Sequence, residues 1–212
     1  MNGLFITFEG IEGVGKTTLQ VALGEALAKQ HFEVVLTREP GGTPLGERLR
    51  NTVLAAEIGS VTPMAELLIM FASRAEHVES FIKPALKEGR IVLCDRFSDA
   101  SYAYQSGGRG ISRHYLDALV NMTHPTLQPD LTFWLDLSPQ EALARAEKRS
   151  TYDRIEQERI DFFQRVADFY LEIADAEPHR VIRLDASLPP AALLKTALDH
   201  LSLKNKTIFS NQ

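Results

Sequence analysis

Short apolar runs alternate with stretches of helical periodicity along most of the chain. Five runs rich in apolar and β-branched residues predict strands at 4–8, 34–37, 91–94, 131–135 and 181–184. Between them, apolar residues recur every three or four positions, which predicts helices at 17–30, 45–56, 63–87, 112–122, 138–149, 156–176 and 189–202. Nearly all-apolar strands separated by helices are typical of a parallel sheet that is covered on both faces. The pattern therefore predicts an α/β fold with a five-stranded parallel sheet and helices on both faces.

Breaks in the pattern predict where these elements end. Pro84 is expected to bend the helix at 63–87, because proline has no backbone N–H group to donate. Segments 105–110 and 148–153 carry polar and turn-forming residues and are predicted as loops, and the polar tail 204–212 is predicted to fray. No repeat and no linker divides the chain, so we expect a single domain over 1–212.

Composition and charge narrow the class of protein. The 212 residues are 44% hydrophobic and 24% charged, as in ordinary globular domains. The net charge of −5 argues against a nucleic-acid polymer or an anionic membrane as a partner. One cysteine, Cys94, excludes an internal disulfide framework and is expected to be a buried strand residue. Without an apolar run of ~20 residues or a basic leader, the chain is expected to be cytoplasmic.

A glycine-rich loop follows the first predicted strand. Residues 10–17 match the pattern G-x-x-x-x-G-K-[ST], whose glycines let backbone N–H groups converge on phosphate oxygens. The next helix adds the positive end of its dipole, and Lys16 adds a charge for the β- and γ-phosphates. We therefore predict that the phosphates of a nucleotide are bound by Gly10, Ile11, Glu12, Gly13, Val14, Gly15, Lys16, Thr17 and Thr18.

Oxygen ligands for a metal ion are found beside this loop. The Thr17 hydroxyl stands at the position that binds Mg²⁺ in such loops. Asp95 ends the third strand, at the edge of the sheet where a carboxylate can reach the ion or its water. Glu9 directly precedes the loop and is expected to face the same cavity. We predict Thr17, Asp95 and Glu9 as the Mg²⁺ site.

A phosphate loop indicates a nucleotide and leaves the reaction open, since switch GTPases, motor ATPases and small-molecule kinases all carry one. The guanine-reading pattern Asn-Lys-x-Asp is absent, because the only Asn-Lys pair is followed by Thr207 and Ile208. Arg38 and Arg96 follow the second and third strands, where two guanidinium groups could hold a dianionic phosphate. Such an acceptor is already anionic near pH 7 and needs no general base. A kinase of another small acceptor and a non-catalytic nucleotide-binding module remain as alternatives.

Four segments together resemble the thymidylate kinase family. They are 8–18, 37–44 (Thr-Arg-Glu-Pro-Gly-Gly-Thr-Pro), 95–97 with 103–105, and 153–156 (Asp-Arg-Ile-Glu). The resemblance runs from about residue 4 to 202 in one register. It implies a nucleoside monophosphate kinase fold with a short lid at about 145–156. It also implies direct in-line transfer of a phosphoryl group from Mg·ATP to dTMP in dTTP biosynthesis, and a homodimer.

The resemblance assigns substrate-binding roles by position. Arg38 and Arg96 would hold the dTMP phosphate, and Glu9 would lie near the sugar 3′-hydroxyl and the metal. Phe71 would stack on thymine, while Arg74 would donate to the base O4; residues three apart share a helix face.

A second wall and the lid complete the implied site. Ser101 and Gln105 would lie near the base, and Tyr104 would lie against the deoxyribose, where its ring would exclude a 2′-hydroxyl. In the lid, Arg149 or Arg154 would approach the transferring phosphoryl group. The implied catalytic residues are Lys16, Arg96, Arg149 and Arg154.

Overall fold

The structure, a computed structural model, describes residues 3–55, 60–147, 154–155 and 158–209, with side chains described as far as residue 202. Five parallel strands form one sheet in the order β2-β3-β1-β4-β5. The five predicted strands are confirmed, as β1 Leu4–Glu9, β2 Val34–Arg38, β3 Ile91–Asp95, β4 Leu131–Asp136 and β5 Val181–Asp185.

Helices connect the strands as the apolar periodicity predicts. Their bounds are α1 Lys16–Ala28, α2 Pro44–Leu54, α3 Pro63–His77, α4 Lys83–Lys87, α5 Ser98–Ser101, α6 Arg113–Thr123, α7 Pro139–Ala146, α8 Ile160–Ala176 and α9 Pro190–Phe209. Two π-helical segments, Val78–Ile82 and Tyr102–Gly108, continue α3 and α5. Near Pro84, where the sequence predicts a bend, the helix passes through the first of these segments, and Pro84 itself lies in the first turn of α4.

The loop predicted at 105–110 is wrong over its first four residues, for a physical reason that involves packing. Residues 105–108 continue a helix rather than form a loop, because Tyr104 and Gln105 are buried and Arg165 of α8 donates to Gly108 O (3.0 Å). The tail predicted to fray from 204 is helical to Phe209. A helix that is already docked gains one hydrogen bond for each added residue, and no glycine or proline interrupts 191–209.

Successive side chains of β1 and β3 point to opposite faces of the sheet, so each of these strands contributes to two hydrophobic cores, one on each face. On one face, Ile6 and Leu93 pack in the same buried cluster as Leu23 of α1 and Ala197 of α9. On the other face, a second cluster contains Phe5, Val92, Cys94, Phe97, Val78, Ile82 and Ala85. The predicted burial of Cys94 and the predicted helices on both faces are confirmed.

Within the described ranges, no helix combines the length and the apolar character that crossing a membrane requires.

Candidate active site

The site lies at the carboxyl edge of the sheet, where β1, β2 and β3 end side by side. The register pairs Phe8 and Arg38 with Asp95 on either side of β3. From β1 the chain crosses through α1 to β2 on one side of the sheet, and from β3 it crosses to β4 on the other side of β1. Ligands of open α/β sheets bind at such a switch point.

The phosphate loop is shaped by its contacts with α7 and α1. Gly13 has a left-handed φ of 79°, and a Cβ there would collide with the carbonyl oxygen of Ala142, so only glycine fits. No side chain caps α1, which begins at Lys16, so its first N–H groups stay available to an anion. Lys16 Nζ reaches back across the loop and donates to Gly10 O (3.1 Å) and Ile11 O (2.7 Å).

Lys16 is buried among groups of both signs. Burial and the neighbouring Arg96 lower the pKa of the Lys16 ammonium to about 8, against the opposing effect of Asp95 and Glu12. A bound polyphosphate would supply negative charge here and stabilise the protonated lysine.

Two of the three predicted metal ligands lie together. Thr17 Oγ1 donates to Asp95 Oδ2 at 2.7 Å, and both residues line the same cavity as Lys16. A hydroxyl and a carboxylate beside a phosphate loop fit Mg²⁺, which is bound by few protein oxygens together with phosphates and waters. The described residues contain no group of three or more His, Cys, Asp or Glu side chains that could hold a metal by themselves.

The structure does not bring the third predicted ligand, Glu9, into the cavity that Thr17 and Asp95 line. Its carboxylate is fully buried and faces neither cavity of the site: Oε1 accepts from Phe97 N (2.7 Å) and Oε2 from the Tyr170 hydroxyl (2.8 Å). Burial, followed by the charge of Asp99, raises the pKa of Glu9 to about 8. Glu9 therefore holds the backbone at Phe97, and its predicted place beside the sugar and the metal stays a prediction.

Two cavities meet at this edge of the sheet. The larger, about 690 Å³, contains the phosphate loop, Arg38 and Asp95 in its lining. The smaller, about 80 Å³, is lined by Pro40, Leu54, Met70, Arg74, Ala100, Ser101, Tyr104, Gln105 and Ile155. The residues that line both cavities are Glu12, Glu39, Arg50 and Arg96.

Arg96 occupies the junction in an unusual backbone conformation. Its φ of 72° is rare for a residue other than glycine, and such strain is concentrated at functional sites. Its guanidinium donates to Gly10 O (2.9 Å), Glu12 Oε1 (2.8 Å) and the Tyr104 hydroxyl (3.0 Å). The Tyr104 hydroxyl in turn donates to Glu12 Oε2 (2.6 Å). Arg96 thus joins the phosphate loop to the wall of the smaller cavity.

Arg38 and Arg96 both line the larger cavity, but only Arg96 also lines the smaller one. Arg38 lines only the larger cavity, and its half-exposed side chain pairs with Glu47 at 2.9 Å. Arg50 of α2, which the sequence analysis missed, lies at the junction instead and donates to Pro40 O (3.0 Å). Arg50, rather than Arg38, therefore lies with Arg96 in the lining of both cavities, and a phosphate-binding role for Arg38 stays a prediction.

The wall predicted from residues 101–105 is present, whereas the facing aromatic residue is not. Ser101, Tyr104 and Gln105 all line the smaller cavity. Phe71 does not: it is 2% exposed and packs in a separate cluster with Leu67 and Leu116. One position along a helix is a rotation of about 100°, which turns Phe71 toward α6 and leaves Met70 on the cavity wall.

Arg74 lines the smaller cavity with one nitrogen free of protein partners. Nε donates to Glu39 Oε2 (2.6 Å) and Nη2 to Phe97 O (3.0 Å). Nη1 is buried and is one of two buried side-chain polar atoms without a hydrogen-bond partner in the described part of the chain. An unpaired buried donor costs about 1–3 kcal/mol, so this atom favours a ligand that accepts a hydrogen bond.

The structure places one of the two predicted lid arginines, Arg154, outside the lining of both cavities. Arg154 is 3% exposed and lines neither cavity: Nε donates to Val53 O (3.0 Å), and Nη2 pairs with the buried carboxylate of Glu66. The next residue, Ile155, does line the smaller cavity. Arg149, and most of the predicted lid at 145–156, lie outside the described residues.

Comparison with known proteins agrees with the geometry. The family model described as "Thymidylate kinase" matches residues 8–196. The thymidylate kinase of Acinetobacter baylyi is 48% identical over 201 residues, with 93% of this chain and 98% of the relative covered. That of Alkalilimnicola ehrlichii is 49% identical over 198 residues, with coverages of 93% and 91%.

This chain belongs to the thymidylate kinase family. The crystal structure of thymidylate kinase from Ehrlichia chaffeensis superimposes with a TM-score of 0.80 at 34% identity, covering 95% of this chain and 100% of that one. The protein is therefore an enzyme, a nucleotide-binding kinase with the fold that the sequence resemblance implied.

Proposed function

We propose that the protein transfers the γ-phosphoryl group of ATP to the 5′-phosphate of dTMP and forms dTDP. The observation that carries this proposal is that the cavity of the phosphate loop and the smaller cavity share Arg96 and Arg50 in their linings. A donor bound in the first and a nucleoside monophosphate bound in the second would place their phosphates on the same two guanidinium groups.

The chemistry asks for alignment and charge neutralisation, with little covalent help. The loop N–H groups and Lys16 hold the donor phosphates, and Arg96 and Arg50 hold the acceptor phosphate for in-line attack. The acceptor oxygen is largely ionised near pH 7, so no residue has to remove a proton. Thr17 and Asp95 would hold Mg²⁺, which supplies positive charge against the donor phosphates.

The smaller cavity fits a thymine base. Arg74 Nη1 is a donor for the base O4, and Ser101 and Gln105 are polar groups at the same wall. Tyr104 stands between this wall and Arg96, where its ring would exclude a 2′-hydroxyl and favour a deoxyribose. Met70 provides the apolar surface that the sequence analysis assigned to Phe71.

A coupled ADP-release assay across dTMP, dUMP, dCMP, dGMP and AMP, with Mg²⁺ and ATP, tests this proposal. We expect dTMP to give the highest kcat/KM. Good turnover of another acceptor without turnover of dTMP would contradict the assignment, and intact ATP with every acceptor would favour a non-catalytic nucleotide-binding module.

A homodimer is part of the proposal. The neighbouring helices α3 and α6 expose Met64, Leu68, Tyr115 and Met122, with 39%, 51%, 53% and 79% of each residue accessible. A second copy that covers this surface would remove it from water. Light scattering should give a mass twice that of one 23.7 kDa chain. A Leu68→Glu change should lower the measured mass toward that of a single chain. We further propose a single domain over 1–212, a lid function for Arg149 and a cytoplasmic location.

A further inference from the structure

A chain of hydrogen bonds runs from the end of β2 to Arg74, and two of its members, Glu39 and Arg74, line the smaller cavity. His77 Nε2 lies 2.7 Å from Thr37 Oγ1, and its Nδ1 lies 2.9 Å from Glu39 Oε1. The other oxygen of Glu39 accepts from Arg74 Nε at 2.6 Å. Glu39, His77 and Arg74 are each at most 4% exposed. We call this network of hydrogen bonds the Arg74 anchor.

Charge balance explains why the Arg74 anchor is ordered. Burial alone would raise the pKa of Glu39, but the Arg74 guanidinium and the hydrogen bond from His77 outweigh it and hold that pKa below its ordinary value. An ionised carboxylate only accepts hydrogen bonds, so His77 Nδ1 is the donor to Glu39. Each polar atom of Glu39 and His77 therefore has a defined partner.

The Arg74 anchor fixes the direction in which the guanidinium points. Two of its nitrogens are held by Glu39 and by Phe97 O. Its central carbon lies 4.7 Å from the centre of the Phe71 ring and 5.1 Å from the centre of the Phe97 ring. Rotation about the side chain would break these contacts. Only Nη1 is left for a ligand, and it can donate but cannot accept.

The neighbouring turn is built to leave room for this arrangement. Gly42 has a φ of 77°, and a Cβ there would collide with His77 Nε2 and Thr37 Oγ1. Gly41 N donates to Ser73 Oγ (3.2 Å), which ties the same turn to α3 one residue before Arg74.

We propose that Glu39 and His77 are positioning residues that make the site prefer a 4-oxo over a 4-amino pyrimidine, by presenting Arg74 Nη1 as a fixed donor. The inference rests on the proposed use of dTMP. A carbonyl at position 4 accepts from Nη1, whereas an amino group there places two donors against each other and leaves both unpaired. Sites with a fixed hydrogen-bonding group discriminate far more strongly than apolar pockets do. If Arg74 can reorient, this discrimination falls.

The test compares dTMP with 5-methyl-dCMP, which keeps the methyl group and replaces only the 4-oxo group by an amino group. In Glu39→Gln, which keeps the shape of the side chain and removes its charge, we expect the ratio of the two kcat/KM values to fall about tenfold or more. The KM for ATP should stay within about twofold, because the phosphate loop is untouched. Glu177→Gln, at a carboxylate that pairs with Arg180 (2.7 Å) away from both cavities, is the matched control and should leave the ratio unchanged.

A pair of substitutions at His77 separates positioning from a purely structural role. The amide nitrogen of His77→Asn can replace Nδ1 and keep the bond to Glu39, whereas the longer side chain of His77→Gln places its amide where Nε2 was and loses that bond. We expect the asparagine variant to keep the substrate ratio within about threefold and the glutamine variant to lower it by about fivefold or more. Each variant loses one of the two hydrogen bonds of His77, so we expect a similar fall in melting temperature for both. That similarity is the structural control, because a difference in the substrate ratio then does not come from a difference in stability.

The outcomes distinguish this inference from the proposed function. If the unaltered enzyme does not use dTMP, the proposed function fails. If it uses dTMP and folded variants at Glu39 and His77 keep its substrate ratio, or lose activity equally with both substrates, only the positioning role fails. If Glu39→Gln does not fold, the two His77 variants decide.

Discussion

The buried carboxylate of Glu66 should be among the most sensitive polar positions of this protein. It is 1% exposed, and its Oε1 accepts from Gln105 Nε2 (3.0 Å) and Arg109 Nε (3.2 Å). Its Oε2 accepts from Arg109 Nη2 (3.2 Å) and pairs with Arg154. Burial would raise the pKa of Glu66, but the hydrogen bond from Arg154 and the charge of Arg109 outweigh it, so the carboxylate is ionised at pH 7.

Replacing this carboxylate by an amide removes the charge that Arg154 and Arg109 share. Breaking a buried ion pair costs about 3–5 kcal/mol. Arg109 keeps a second carboxylate partner, Glu158, at 2.6 Å. We therefore expect Glu66→Gln to lower the free energy of unfolding by about 3 kcal/mol, the lower end of that range. For a chain of this size the corresponding fall in Tm is about 6–12 °C.

Urea unfolding followed by the fluorescence of the buried Trp134 measures this loss. Glu158→Gln is the matched control, because it removes one carboxylate from Arg109 and leaves both oxygens of Glu66 in place; we expect it to cost about 1 kcal/mol or less. Since Gln105 lines the smaller cavity, Glu66→Gln should also raise the KM for dTMP more than the KM for ATP. A loss below about 1 kcal/mol for Glu66→Gln would refute the reasoning.

Three further changes probe other parts of the structure. Lys16→Ala should lower kcat about 100-fold or more through lost charge stabilisation, and full activity in the coupled assay would remove Lys16 from the site. Arg74→Ala should raise the KM for dTMP about tenfold or more while the KM for ATP changes little, and equal changes for both nucleotides would contradict its role. His124 is 2% exposed, and burial, followed by the charge of Arg74, lowers its pKa to about 4. As pH falls, His124 takes up a proton in the unfolded protein at a higher pH than in the folded protein. The free energy of unfolding therefore decreases by about 3 kcal/mol as pH falls from about 6.5 toward 4. Urea titrations at pH 7 and pH 4 should show a smaller decrease in the free energy of unfolding for His124→Gln than for the unaltered protein. Equal decreases in the two proteins would contradict this.

Much of the fold follows from patterns local in the sequence. The strands are short, apolar and bounded by turn residues, and the phosphate loop combines fixed spacing with a strand before it and a helix after it. Residues 101, 104 and 105 share a helix face, which is why their common wall could be predicted. The π-helical turn that carries two of them could not, since it depends on packing against α8.

The structure differs from the predictions at side chains whose direction is set by distant partners. Arg154 is drawn away from the cavities by Glu66, 88 positions earlier, and Glu9 is held by Tyr170, 161 positions later. Met70 and Phe71 differ only by one helical step, and the choice between them depends on where α6 packs. The position of Arg50 could have been predicted from helical spacing, because it lies one turn after the buried Gly46 and one turn before the buried Val53 on the same face of α2.

The most direct test of the account is a crystal structure of the protein with dTMP and a non-hydrolysable ATP analogue bound together. We expect the analogue's phosphates in the loop at 10–18, the dTMP phosphate on Arg96 and Arg50, and the thymine O4 within hydrogen-bond distance of Arg74 Nη1. A pyrimidine bound outside the smaller cavity, or reacting phosphates held apart on opposite sides of Arg96, would contradict the account.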